Sequence, residues 1–171
     1  MALIKKLNPK SYTPKPQGGQ VLVEAIVAIS ILVIGLLGIF SLLSRSLSLN
    51  RVIADQSAAT YLAAEGIELV KNLVDANAIQ RRPWNLGINP GDYEMDFNDS
   101  ALAANQNRKL NFDSESGQFS YDSGAPTAFQ RLIVISQPSP DELKINSLVN
   151  WITRGGGQFE VNLEDHFFNW R

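Results

Sequence analysis

Residues 21–43 read VLVEAIVAISILVIGLLGIFSLL, and the only ionisable side chain among them is Glu24. At about 1.5 Å per residue, an α-helix of that length crosses the roughly 30 Å of hydrocarbon in a bilayer. The stretch therefore predicts a transmembrane helix. On its N-terminal side, Lys5, Lys6, Lys10 and Lys15 fall within the first nineteen residues, which contain no Asp or Glu. The positive-inside rule then puts the N-terminus in the cytoplasm and everything after Arg45 outside.

Residues 1–19 hold Pro14 and Pro16 and end in Gln17-Gly18-Gly19, a composition that disfavours a helix and predicts a flexible leader. Downstream the helical pattern outlasts the membrane, because no proline occurs between Pro16 and Pro83. Leu62, Leu69 and Leu73 recur at helical spacing with Ala59, Ala63, Ile67, Val70 and Val74 on the same side. Thr60, Ala64, Glu68, Lys71 and Asp75 fall mostly on the other side. A single helix over 21–79, about 85 Å long, is expected, with its second half resting one face on a folded domain.

Beyond Pro83 the period changes from helical to alternating. Tyr93, Met95 and Phe97 alternate with Asp92, Glu94 and Asp96, as in a half-exposed strand with its acids toward solvent. Residues 108–113 and 118–122 flank a Ser-Glu-Ser-Gly turn, which predicts a hairpin. Residues 129–136, FQRLIVIS, are apolar on both faces after Arg131, as a central strand would be. Leu143, Ile145, Val149 and Trp151 share one strand face. Arg154-Gly155-Gly156-Gly157 turns the chain toward Phe159, Val161 and Leu163, and Phe167, Phe168 and Trp170 form a terminal aromatic group. The expected class is α+β: a leader (1–19), a transmembrane half-helix (20–45), an amphipathic half-helix (46–82), and a β-rich head (83–171) of five or six antiparallel strands on the helical stripe.

With 171 residues and one stretch given to the membrane, the remainder has room for one core. The absence of cysteine excludes disulfides, thiolate metal sites and a cysteine nucleophile. Without its four leader lysines the chain keeps 11 of its 15 basic residues against 17 acidic ones, a net charge of −6. No electrostatic footprint for phosphate backbones remains, so nucleic acid is not an expected partner. The single histidine, His166, has no Ser and Asp at triad spacing and no Gly-rich phosphate loop accompanies it. Asp92, Glu94, Asp96 and Asn98 are spaced as in a calcium loop, but Phe97 stands where such a loop needs glycine and no bidentate Glu follows. Gly155-Gly156-Gly157 precedes no helix and reads as a turn. Neither catalytic residues nor a metal or other cofactor is expected, and the chain does not read as an enzyme.

Glu24 is different in kind. A carboxylate in a membrane helix costs about 2.5–3.5 kcal/mol on insertion scales, so either a function offsets it or Glu24 lies close enough to the cytoplasmic interface to stay hydrated. Gly18-Gly19-Gln20-Val21-Leu22-Val23-Glu24 resembles the prepilin signature: a short basic leader, a glycine, four non-acidic residues, a glutamate and a long apolar helix. Residues 61–68 (YLAAEGIE) resemble the helix of bacterial minor pilins of the PilV type, and residues 127–135 (TAFQRLIVI) with Val149-Asn150-Trp151 and Asn169-Trp170 resemble their sheet.

The resemblance implies the pilin fold and a structural role. A membrane-embedded prepilin peptidase would cut between Gly19 and Gln20 on the cytoplasmic side, and the new amine of Gln20 would be N-methylated. Glu24 would serve filament assembly. The implied partners are other pilin subunits, the peptidase, an inner-membrane assembly platform and, before assembly, lipid. The chain would be a single-pass inner-membrane protein, C-terminal domain outside, and then part of an extracellular or periplasmic filament. The family's usual first mature residue is a large apolar one, where this chain has Gln20. Many major pilins have a proline within the apolar helix and a C-terminal disulfide, and this chain has neither, so a minor pilin or a type II secretion pseudopilin is as much expected as a major pilin. The alternative is a single-pass, signal-anchored membrane protein with an extracytoplasmic binding domain, which needs no Gly-Gly before Glu24. A secreted enzyme ranks third, because the apolar run exceeds a 7–15-residue signal-peptide core and no A-x-A-like site follows it.

Overall fold

The computed structural model describes residues 18–153 and 155–169. Residues 1–17 of the expected leader, Arg154 of the expected turn and Trp170 of the aromatic group lie outside the described residues. Helix α1 (Gly18–Ile79) is followed by eight strands, β1 (Gly91–Glu94), β2 (Ala103–Ala104), β3 (Asn111–Asp113), β4 (Gln118–Ser120), β5 (Ala125–Pro126), β6 (Gln130–Ser139), β7 (Glu142–Ile152) and β8 (Gln158–Phe168). The architecture is α+β, as expected. A five-stranded antiparallel sheet runs in the order β2-β1-β6-β7-β8, and a three-stranded one in the order β4-β3-β5. The described chain divides into two compact units after Ser48.

α1 is unbroken for 62 residues because nothing in it interrupts backbone pairing: it holds no proline, and Gly35 and Gly38 only weaken it locally. It begins at Gly18 and not after Gly19, so both glycines and Gln20 are helical where a non-helical leader end was expected. Its C-terminus is closed by a Schellman motif. The Arg82 amide donates to the Asn77 carbonyl (2.9 Å) and the Arg81 amide to the Ala78 carbonyl (3.1 Å), while Arg81 takes the left-handed conformation at φ 57°. Pro83 then bars further helix.

In the unit from Leu49 onward, the helical stripe and one sheet face build two adjoining cores. Ala59, Leu62 and Ala63 pack with Leu110, Tyr121, Phe129, Val149 and Trp151. Leu69 and Val70 pack with Ile88, Met95, Ile133, Ile135, Leu143 and Ile145, edged by Ile67, Leu73 and Val74. Thr60, Ala64, Glu68, Lys71 and Asp75 are exposed, as the period predicts. β7 buries Leu143, Ile145, Ser147, Val149 and Trp151 on a single face. The β3–β4 hairpin closes through residues 114–117, with Asp113 opposite Gln118.

Three expectations are corrected. β6 is central, but Arg131, Ile133 and Ile135 are buried while Leu132 and Val134 are half-buried, because the helix covers only one sheet face. β1 stops at Glu94, so Phe97 lies beyond the strand and is exposed, and Glu94 and Asp96 are buried, not solvent-facing. Among the described residues the main sheet has five strands, within the five or six expected, but the β3–β4 hairpin stands in a second sheet with β5, a two-residue pairing too short to leave a pattern in sequence.

Candidate functional site

The sequence-predicted site residues all lie on the first two turns of α1. Gly19, Gln20 and Glu24 are exposed, and Gln20 and Glu24 stand four residues apart on one helix face. A helix leaves its first four amides without an internal partner, and the first turn of α1 contains no acid to accept from them. Glu24 makes no ion pair among the described residues. Around it, every residue from 19 to 51 is exposed. The large apolar side chains of this stretch show 45–71 % of their surface on all sides of the helix, whereas an amphipathic helix would hide one stripe. This one helix near the N-terminus is long and apolar enough to span a membrane.

The other charged constellations lie in the head. Arg131 on β6 is 1 % exposed; its Nη1 donates to Glu65 Oε2 (2.8 Å) and to the Leu62 carbonyl (3.2 Å), and its Nη2 to the Met95 carbonyl (2.7 Å). The strand is thereby tied to the helix by a charged group inside the core. Glu94, also 1 % exposed, accepts from Arg108 Nε (2.8 Å) and from the Gln106 amide (3.2 Å). Arg108 in turn stacks over the Tyr121 ring at 4.7 Å and reaches Asp122 at 3.2 Å. Its guanidinium is held above its ordinary pKa, first by the hydrogen bond to Glu94. Burial pushes the Tyr121 hydroxyl up. Asp96 accepts from the Phe97 amide (2.8 Å) and the Tyr121 amide (3.1 Å).

These contacts change the reading of the acids at and just beyond the end of β1. Glu94 and Asp96 hold a crossing loop in place, and no group of three or more His, Cys, Asp or Glu among the described residues is arranged to hold a metal ion. His166 lies on β8 with Nδ1 2.6 Å from Glu142 and Nε2 3.2 Å from Glu164, and Glu164 also meets Lys144 at 2.7 Å. Gly156 and Gly157 form the β7–β8 turn, in which the Thr153 amide donates to the Gly157 carbonyl (2.9 Å).

The Arg131 network was not visible from the sequence. The available signals are a lone cation at a core-facing parity of β6 and a glycine, Gly66, on the apolar face of the helix. Both are weak without the fold. No family model matches the chain, and no curated protein and no solved structure matches it either.

Proposed function

We propose that this chain is a structural subunit of a filament of the type IV pilin class. It is made with a leader, cut between Gly19 and Gln20 by a prepilin peptidase, and held as a single-pass inner-membrane protein with its head outside. An assembly platform then draws it into a filament with other pilin subunits. The support is the half-helix exposed on every side with one carboxylate, Glu24, near its start. Such a surface needs an apolar surrounding, either lipid or the helices of other subunits. The exposed apolar residues also continue through Leu47, Leu49 and Ile53, past the about 20 residues that a bilayer requires. Neighbouring helices would cover that excess, and lipid alone would not.

The test is intact mass combined with mechanical shearing, in cells that contain a prepilin peptidase. The expected mature chain begins at Gln20, with or without a methyl group, and part of it leaves the cell with sheared filaments. A chain that keeps Met1 and stays wholly in the membrane fraction is a signal-anchored protein, and the filament role fails.

A further inference from the structure

β8 is the last strand of the main sheet, and among the described residues no strand pairs with its outer edge. It runs for 11 residues in unbroken register with β7, from Gln158 opposite Ile152 to Phe168 opposite Glu142. A free edge of that length offers a row of amides and carbonyls to any extended chain. Proteins blunt such edges with a proline, a lysine, a bulge, an early stop or an inward-facing charge. β8 has only the last of these, Asp165. Its helix-facing side is also unfinished. Phe159, Val161, Leu163, Asp165 and Phe167 stand opposite the buried row of β7, yet Val161, Leu163 and Phe167 are only half-buried and Phe159 is 40 % exposed. One more strand beyond β8 would lay its own helix-side residues along these four apolar ones and remove them from water.

The acids decide what that strand can be. Asp165 interrupts the apolar row; it is exposed, and its side chain accepts only from the His166 amide (2.8 Å) among the described residues. Glu160, on the other face of the sheet, is exposed and its side chain makes no hydrogen bond or ion pair among the described residues. A strand laid beside Asp165 without a cation opposite would leave a carboxylate unpaired in the new interface. A second copy of β8 fails on this point. β8 holds no Lys or Arg, and His166 lies on the other face, where it is already engaged by Glu142 and Glu164. In no face-matched self-pairing does Asp165 meet a cation.

We infer that the β8 edge takes up an extended, basic segment of a partner protein as an additional antiparallel strand. Antiparallel addition continues the sheet as it stands and is the slightly more stable pairing per residue. In that direction the segment carries apolar residues opposite Phe167, Leu163, Val161 and Phe159, and Lys or Arg opposite Asp165 and Glu160. Main-chain hydrogen bonds supply the affinity. The two cations, on opposite faces of the added strand, supply the choice of sequence, because the same acids repel a neutral or acidic strand in that register.

The experiment uses the full chain in non-ionic micelles and the acetylated, amidated peptide Val-Thr-Lys-Thr-Val-Thr-Val-Lys-Val, whose lysines meet Asp165 and Glu160 in this register. Amide NMR is expected to show binding with Kd on the order of 100 µM, with shifts and slowed hydrogen exchange centred on β8. The same peptide with Glu in place of both Lys should bind at least about tenfold more weakly, the scale of two exposed ion pairs turned into repulsions. The double variant Glu160→Lys/Asp165→Lys, with its circular dichroism unchanged, is expected to exchange the two preferences. The assignment is overturned if no β8 amide responds, if the acidic peptide binds the wild-type chain equally well, or if the β8 amides of the free chain shift with its own concentration, which would give the edge to a second copy.

Discussion

Gly66 on α1 and Ser147 on β7 approach so closely that a Cβ on residue 66 would overlap the Ser147 hydroxyl and stand 3.2 Å from Arg131 Cδ. The helix can lie against β6 and β7 at this point only because residue 66 has no side chain. Overpacking of such a contact costs about 1–3 kcal/mol, against at most about 1 kcal/mol gained in helix propensity on going from Gly to Ala. Gly66→Ala therefore destabilises the head. Ser147 Oγ is buried without a partner among the described residues, so Ser147→Ala alone is neutral or mildly stabilising. The double variant should recover part of the loss. Urea unfolding of the four forms of the full chain in micelles measures this. Strictly additive effects would show that Ser147 is not the obstacle.

Arg131 and Glu65 are an unequal pair. The arginine is 1 % exposed and the glutamate side chain 34 % exposed, so each fares differently when left alone. Without Arg131, Glu65 hydrates and the main loss is an orphaned Met95 carbonyl, about 1–3 kcal/mol. Without Glu65, a guanidinium is left in the core with its charge uncompensated, which costs about 3–5 kcal/mol in comparable buried pairs. Glu65→Ala is thus expected to be more damaging than Arg131→Met, although Arg131 is the more buried. The same unfolding measurement decides it, and the reverse order would mean that the core supplies the arginine with compensation from elsewhere.

Such pairs mark where the sequence stops being readable. The long helix is legible because it rests on local facts: no proline, a steady apolar period, and an end at Arg81-Arg82-Pro83. The β7 face and the β3–β4 turn are legible for the same reason. Glu94 looks solvent-facing by alternation and is buried, because its partner Arg108 lies fourteen residues on, in a loop whose path no periodicity encodes. Arg131 needs Glu65, 66 residues away, before its burial makes physical sense. At the N-terminus, what is expected of Gly19, Gln20 and Glu24 rests on spacing alone, which sequence displays as well as any fold.

His166 should give the head a pH dependence. Its pKa is raised above the ordinary 6.5, first by the hydrogen bond to Glu142 and then by that to Glu164. A folded-state pKa above the unfolded one means that this stabilisation is complete below about pH 6.5 and is lost as pH rises through the folded value. Glu164 runs the other way. Lys144, then Asn146 and His166, hold it down at about 2 from 4.5, so its share is present above about pH 4.5 and is lost as pH falls toward 2. The two contributions coexist between about pH 4.5 and 6.5, and both are screened at this exposed site. NMR titration of the imidazole is the direct check. Glu142→Gln should lower the His166 pKa toward 6.5, and an unchanged value would remove Glu142 as the chief cause.

Glu24 distinguishes a filament subunit from a lone anchor. Cleavage after Gly19 would place the amine of Gln20 four residues from Glu24, one turn away on the same exposed face of α1. When such helices leave lipid and pack together, the carboxylate loses its remaining water and head groups, and an unpaired buried charge is strongly unfavourable. On the filament proposal, the cation that meets it is the N-terminal amine of this or a neighbouring subunit. Pairing with a neighbour's amine would also fix the axial register between the two helices. Glu24→Ala removes whatever insertion cost the carboxylate carries along with the pairing, so membrane insertion and processing persist while incorporation into filaments falls. A lone anchor would lose nothing by the change. Shearing cells that carry the wild-type or the variant chain and comparing the released and membrane-bound amounts gives the answer. Release of Glu24→Ala at wild-type levels would rule out the carboxylate as an assembly contact, and a partial loss would point to a subunit confined to the filament tip.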